Sequence, residues 1–220
     1  RVRLEAVRAL SFVPTVEAAE AALDALNHPT DKFIDYCLKE TMRTHRDRIK
    51  QQVAAGNPFA ENNPAGQKFI IADLSSSELI AMRRNETVYK EILAREGIFH
   101  EVRYEAAEGL AKANGTDPNV ELLNAIDRID KSKAGNAPAI LADLTHVFLH
   151  GDGKGAHGSG PEIDFTKYQD QLNVLASSAK KDITRQVAFA TLITAEKSAD
   201  RLWKQSLSSP KRFRDFVNSL

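Results

Sequence analysis

His146 and His150 stand four residues apart in a segment that reads as a helix, so their imidazoles share one face, and His157 follows in a glycine-rich run. Histidines at that spacing can ligate a transition metal. The helical zinc-hydrolase pattern requires a glutamate directly after the first histidine, and Val147 stands there, which excludes metalloprotease chemistry by motif. His146, His150 and His157 are therefore weak metal candidates. The plainer reading is two helix-end histidines, where positive charge suits the C-terminal dipole.

The run that holds His157 extends over 151–161 and contains Gly151, Gly153, Gly155, Gly158 and Gly160. A phosphate-binding loop would need a Ser or Thr after its lysine, and a strand before it. Gly155 follows Lys154, no strand precedes, and Asp152 would repel phosphate. A calcium loop needs acidic ligands at alternate positions, and only Asp152, Glu162 and Asp164 are at hand. The run reads as an exposed insertion.

Arg43, His45, Arg46, Arg48 and Lys50 form a basic stretch diluted by Glu40 and Asp47. It reads as a solvated helix face, with a docking patch for an acidic partner as the alternative. Cys37, the single cysteine, sits beside Tyr36 and Leu38 and reads as a buried, inert thiol. Tyr104, Trp203, Phe213 and Phe216 read as packing residues. No local Ser/His/Asp arrangement stands out. No catalytic or cofactor-binding residue is assigned.

The elements behind these residues are helices. Over 220 residues, 42% are hydrophobic, 27% charged and only 7% aromatic, a balance suited to close helix packing. The 30 basic and 30 acidic residues cancel, without the basic excess of a nucleic-acid-binding domain. No run of about 18 apolar residues is present, so no transmembrane segment is expected.

Val2-Arg3-Leu4-Glu5-Ala6-Val7-Arg8-Ala9-Leu10 and Val102-Arg103-Tyr104-Glu105-Ala106-Ala107-Glu108-Gly109-Leu110 share five of nine residues. Val2, Ala6, Ala9 and Leu10 fall on one helical face, repeated by Val102, Ala106, Gly109 and Leu110. Each copy is followed by a break and a second amphipathic helix. Thr15 caps the first of these, with Ala19, Ala22, Leu23 and Leu26 as its stripe; Asp117 before Pro118 opens the second, with Leu122, Ala125, Ile126 and Ile129. Arg185 to Leu192, then Ala199, Leu202 and Trp203, form a weaker third copy.

Further helices are expected from Asp31 to about Ala55, Ala65 to Leu74, Ser77 to Met82 with a Ser75/Glu78 capping box, Glu86 to Arg95, Pro138 to His150, and from Pro210 onward. The pattern implies an all-α chain, one helical-repeat domain over 1–220, built as an irregular HEAT/armadillo-like α-α superhelix. Leu4, Val7 and Phe12 could face a missing neighbour, and the chain reads as a stretch of a larger multidomain protein.

The strings VRLEAVRALSF, ALDALNHPTD, DYCLKETMR, NPAG and SLSSPKRFRDFV resemble the helical-repeat region of the large haem-binding C-x-x-C-H proteins of planctomycetes and verrucomicrobia, which are membrane-bound-dehydrogenase-like. In that family a β-propeller precedes the repeats and a small c-type cytochrome domain follows. The resemblance implies an exported, periplasmic setting and a spacer between a substrate-handling and an electron-transfer module. Cys37 is followed by Leu38-Lys39-Glu40, so haem c has no attachment motif here and would belong to other parts of such a protein. The expected function is a non-catalytic scaffold contacting protein partners or neighbouring domains; the alternative is a segment of a haem c-dependent oxidoreductase.

Overall fold

The computed structural model describes residues 1–151 and 163–220. Most of the glycine-rich run, His157 and Lys154 included, lies outside the described residues. The chain is all-α: among the described residues every regular element is a helix or a 3-10 turn. It divides into two compact units, Arg1–Ile92 and Leu93–Leu220.

The first unit contains α1 (Val2–Leu10), α2 (Val16–Leu23) with a 3-10 turn at Asp24–Asn27, α3 (Lys32–Ala54), α4 (Pro64–Ile71), α5 (Ser76–Ala81) and most of α6 (Glu86–Ala94). Helix starts follow side-chain chemistry. Thr15 accepts from the Ala18 N–H at 3.2 Å, and Asp31 from those of Phe33 and Ile34, both at 2.9 Å. Asn63, before Pro64, accepts from the Gly66 N–H at 2.8 Å. The Ser75/Glu78 capping box forms, and the Lys50 ammonium together with the Ser75 N–H holds the Glu78 carboxyl down at about 2.

Three side chains of α3 fix α1 against it. The Cys37 thiol donates to the Leu4 carbonyl at 3.9 Å, Thr41 donates to Val7 O at 3.2 Å, and His45 Nε2 lies 3.1 Å from Leu10 O. Positions rise together on both helices, so α1 and α3 run parallel, with α2 packed against each. A carbonyl oxygen only accepts, so His45 donates from Nε2 in this contact. This corrects the reading of His45 as part of a solvated basic face: it is fully buried. Leu38, Met42, His45 and Ile49 share the inward stripe, and that register carries the imidazole inside.

The same zipper corrects the expected inner face of α1. Val7 is buried and Leu4 and Leu10 half-buried, whereas Val2, Ala6 and Ala9 are exposed. Contact through residues 4, 7 and 10 sets the rotation. Phe12 is 77% exposed. Gly66 has a packing reason: a Cβ there would lie 2.8 Å from the Leu23 Cβ.

The second unit contains α7 (His100–Asn114), α8 (Pro118–Lys131), α9 (Ala137–His150), a 3-10 turn at Phe165–Tyr168 leading into α10 (Gln169–Ser178), α11 (Asp182–Glu196), α12 (Asp200–Ser206) and α13 (Pro210–Val217). The segment 165–178 carries no helix expectation from the sequence. Its apolar signal is short: Tyr168, Leu172, Leu175 and Ala176 are buried among Gln, Asp, Asn and Ser.

Two buried arginines organise this unit. Arg103 donates to the carbonyls of Leu93 (3.1 Å), Arg95 (2.7 Å) and Ile98 (3.3 Å), and pairs with Asp143 at 2.9 Å. Arg185 donates to the carbonyls of Ala179 (2.8 Å) and Lys180 (2.9 Å) and pairs closely with Asp215. Each stands fourth in its helix and folds back on the turn before it. Asp130 works on the same turn as Arg185, accepting from the N–H groups of Lys180 (2.6 Å) and Lys181 (2.9 Å). Phe216 is buried against Phe189 at 5.8 Å, while Trp203, packed edge-on to Phe213 at 5.4 Å, stays 44% exposed.

Two substitutions test this packing by urea unfolding. Gly66→Ala should destabilise by ~1–3 kcal/mol through the clash with Leu23; an unchanged midpoint would contradict the close approach. Arg185→Ala should cost ~3–5 kcal/mol, because it leaves Asp215 buried and unpaired, and a loss below about 1 kcal/mol would contradict the clamp.

Candidate functional site

The weak metal candidates His146 and His150 do share a face of α9, and the structure adds a residue that sequence reading missed. His100, in the first turn of α7, stacks on His146 with ring centroids 4.3 Å apart, and His146 lies 4.6 Å from His150. No local signal could have joined His100 to residues so far along the chain; the packing of α7 on α9 does it. The interplanar angles are 31° and 53°, so the rings are tilted across one another. No group of three or more His, Cys, Asp or Glu among the described residues could hold a metal ion. His157 lies outside the described residues.

Desolvation of the His146 ring, followed by repulsion from His100 and His150, lowers its pKa from the ordinary 6.5; Asp143 opposes the shift. Asp143 also pairs with Arg103, whose guanidinium pKa burial lowers. The trio is a compact, charge-sensitive contact between two helices.

One concavity lies in the first unit, where the basic stretch of α3 meets the end of α4. It encloses about 450 Å³. One wall is a single face of α3: Lys39, Met42, Arg43, Arg46, Ile49 and Lys50 at helical spacing. Phe69 and Ile70 of α4, with Asp73 and Leu74 of the turn after it, form the other. Met42, Ile49, Ile70 and Leu74 are buried and give an apolar floor, while Lys39, Arg43 and Arg46 are exposed at the rim.

Rim ion pairs are loose or partly wet. Arg43 lies 3.6 Å from Glu40, Arg46 is 3.6 Å from Asp73, and Lys50 is 2.7 Å from Glu78. Exposed pairs of this kind contribute only ~0–1 kcal/mol each. Tyr36 is 69% exposed, and Cys37, expected to be buried, is half-buried. Tyr36 lies seven residues before Arg43 and extends the exposed face by one turn.

A second basic recess of about 330 Å³ lies at the start of α11, beside Lys180, Lys181 and Lys211. The Lys181 ammonium donates to the Asp130 and Ser132 carbonyls at 3.0 and 3.1 Å, and Arg185 is held by Asp215. Lys181 and Arg185 thus serve the fold. No described helix is long and apolar enough to cross a membrane.

No family model, curated protein or solved structure matches the chain.

The imidazole stack generates a pH prediction. The folded chain takes up fewer protons at His146 than the unfolded chain, so this contribution is full above about 6.5 and is lost as pH falls through the lowered folded value. The thermal midpoint should drop between pH 7.5 and 5.5, and His146→Asn should flatten that drop. Equal slopes in the two proteins would contradict the assignment.

Proposed function

We propose that this chain is a non-catalytic helical-repeat scaffold, an irregular HEAT-like succession of helix pairs that presents a surface to protein partners or neighbouring domains. One observation carries the reading. The buried ionisable groups of the described residues serve the framework and do not converge on a pocket. His45 contacts a helix carbonyl, Arg103 and Arg185 hold turn carbonyls, and Asp130 accepts from the main chain of the turn before α11. Glu121 accepts from Asn114 and Thr116 at the turn between α7 and α8, and Asp215 serves Arg185. Catalysis calls instead for titratable groups directed at a shared reacting centre.

The parallel course of α1 and α3, with α2 against both, supports the paired-helix reading locally, since repeat stacks place successive first helices side by side. The recurrence of Val-Arg-x-Glu-Ala at 2 and 102 supports it in sequence. The likeness to the repeat region of exported C-x-x-C-H proteins supports a periplasmic setting beside a haem c module. In that setting the chain separates a substrate-handling module from an electron-transfer module and holds no haem itself.

Cross-linking of the native protein with a lysine-reactive reagent, read by mass spectrometry, tests the scaffold reading. Saturable links from this chain to a partner or another domain are expected. Absence of such links, together with turnover of small substrates by residues 1–220 alone, would overturn it. An absorption spectrum tests the setting: the native protein should show a haem Soret band and residues 1–220 none, whereas a native protein without the band removes the haem-linked reading.

A further inference from the structure

We propose that the groove between α3 and the end of α4 is the docking site for an acidic amphipathic helix of a partner protein. The proposal rests on the scaffold reading and names its contact surface and the chemistry of its partner.

Charge is the first argument. The whole chain is neutral, yet four cations, Lys39, Arg43, Arg46 and Lys50, line this groove against two carboxylates, Glu40 and Asp73. The cations are spaced by four, three and four residues, so they form one stripe along about 16 Å of helix. A helix laid alongside presents its own acidic residues at the same repeat, and Lys39, Arg43 and Arg46 each meet a carboxylate without a change of backbone, while Lys50 stays on Glu78 at 2.7 Å. The existing pairs of Arg43 and Arg46, at 3.6 Å and solvent-exposed, exchange readily for an incoming carboxylate.

Shape and residue type supply the second. The floor of Met42, Ile49, Ile70 and Leu74 has room for a few apolar side chains from the partner. Exposed Tyr36, Arg43 and Arg46 are of the types that dominate binding energy at protein interfaces. An apolar stripe flanked by charge is the surface that a helix in a groove requires. A small molecule is a poorer match, because small-ligand pockets fix orientation with a few well-placed polar groups inside. The described buried polar atoms that lack a partner belong to His45, Gln67, Asn85, Asn119 and Thr184, none of which lines this groove.

The test uses the whole chain and a fluorescein-labelled helical peptide of about 20 residues. The peptide carries glutamates spaced four, three and four along one edge and Leu and Phe on the adjoining face. Anisotropy titration should give a micromolar Kd that weakens between about 50 and 300 mM salt. Affinity should fall about tenfold or more when the glutamates become lysines. The double variant Arg43→Glu/Arg46→Glu should lose binding to the same degree while keeping its unfolding midpoint, because both side chains are exposed. Lys204→Glu, on the second unit, should bind as the parent does.

Equal affinity for the acidic and basic peptides, or no effect of the double variant, would overturn the proposal. Concentration-dependent dimerisation lost in that variant would also overturn it, by assigning the groove to a second copy of this chain. If the cross-links to a native partner arise away from α3 and residues 69–74, the groove fails while the scaffold reading stands. If no partner links arise and residues 1–220 turn over small substrates, the scaffold reading itself fails.

Discussion

A guanidinium sealed from water needs partners for its donors, and the chain meets that need with its own turns. Arg103 has no exposed surface, and main-chain carbonyls and one aspartate surround it. Arg185 repeats the device beside Asp215. Removing these bonds leaves the charge and the carbonyls desolvated together, which costs more than an ordinary hydrogen bond contributes. The turns before α7 and α11 are therefore fixed, and the helices that follow start from set positions. Aspartates farther along the chain then tie α9 and α13 to the same points. The stacking of His100 on His146 follows, since it requires α7 and α9 in that arrangement.

A related constraint works in the first unit through hydroxyl, thiol and imidazole groups. Cys37, Thr41 and His45 recur every four residues and meet carbonyls of α1. They leave α3 one rotation. Leu38, Met42 and Ile49 then point inward, and Lys39, Arg43 and Arg46 reach the outer edge of the groove. The charge stripe is thus a consequence of the inner zipper. A helix turned by one residue would bury an arginine without a partner.

The helices were largely legible because their signals are local. Thr15, Ser75 with Glu78, and Asp117 before Pro118 mark helix starts by chemistry that acts within three residues, and each caps as its sequence implies. The weak, polar α10 escaped because its burial depends on contacts with α11 rather than on its own periodicity. The inner face of α1 was misassigned for a similar reason. Val2, Ala6 and Ala9 make as good a stripe as Leu4, Val7 and Leu10 until the α3 donors select one. Candidate sites were less legible still. His146 and His150 could be paired by spacing, but His100 joins them only through packing. The basic stretch was visible as composition; that His45 leaves it for the core while Tyr36 borders it depends on register. The residues that close the groove, Phe69 to Leu74, carry no motif.

Together these features give units whose described buried charges are committed to their own turns and to partner side chains, while the cation stripe lies on the outer face of α3. Hydrogen–deuterium exchange of the native protein, with and without the acidic helical peptide that the proposed docking groove would bind, tests that division most directly. The account predicts added protection in Tyr36–Lys50 and Phe69–Leu74 on engagement, with the turns held by Arg103 and Arg185 already protected and unchanged. Protection gained instead around His100, His146 and His150, with α3 unaffected, would contradict it.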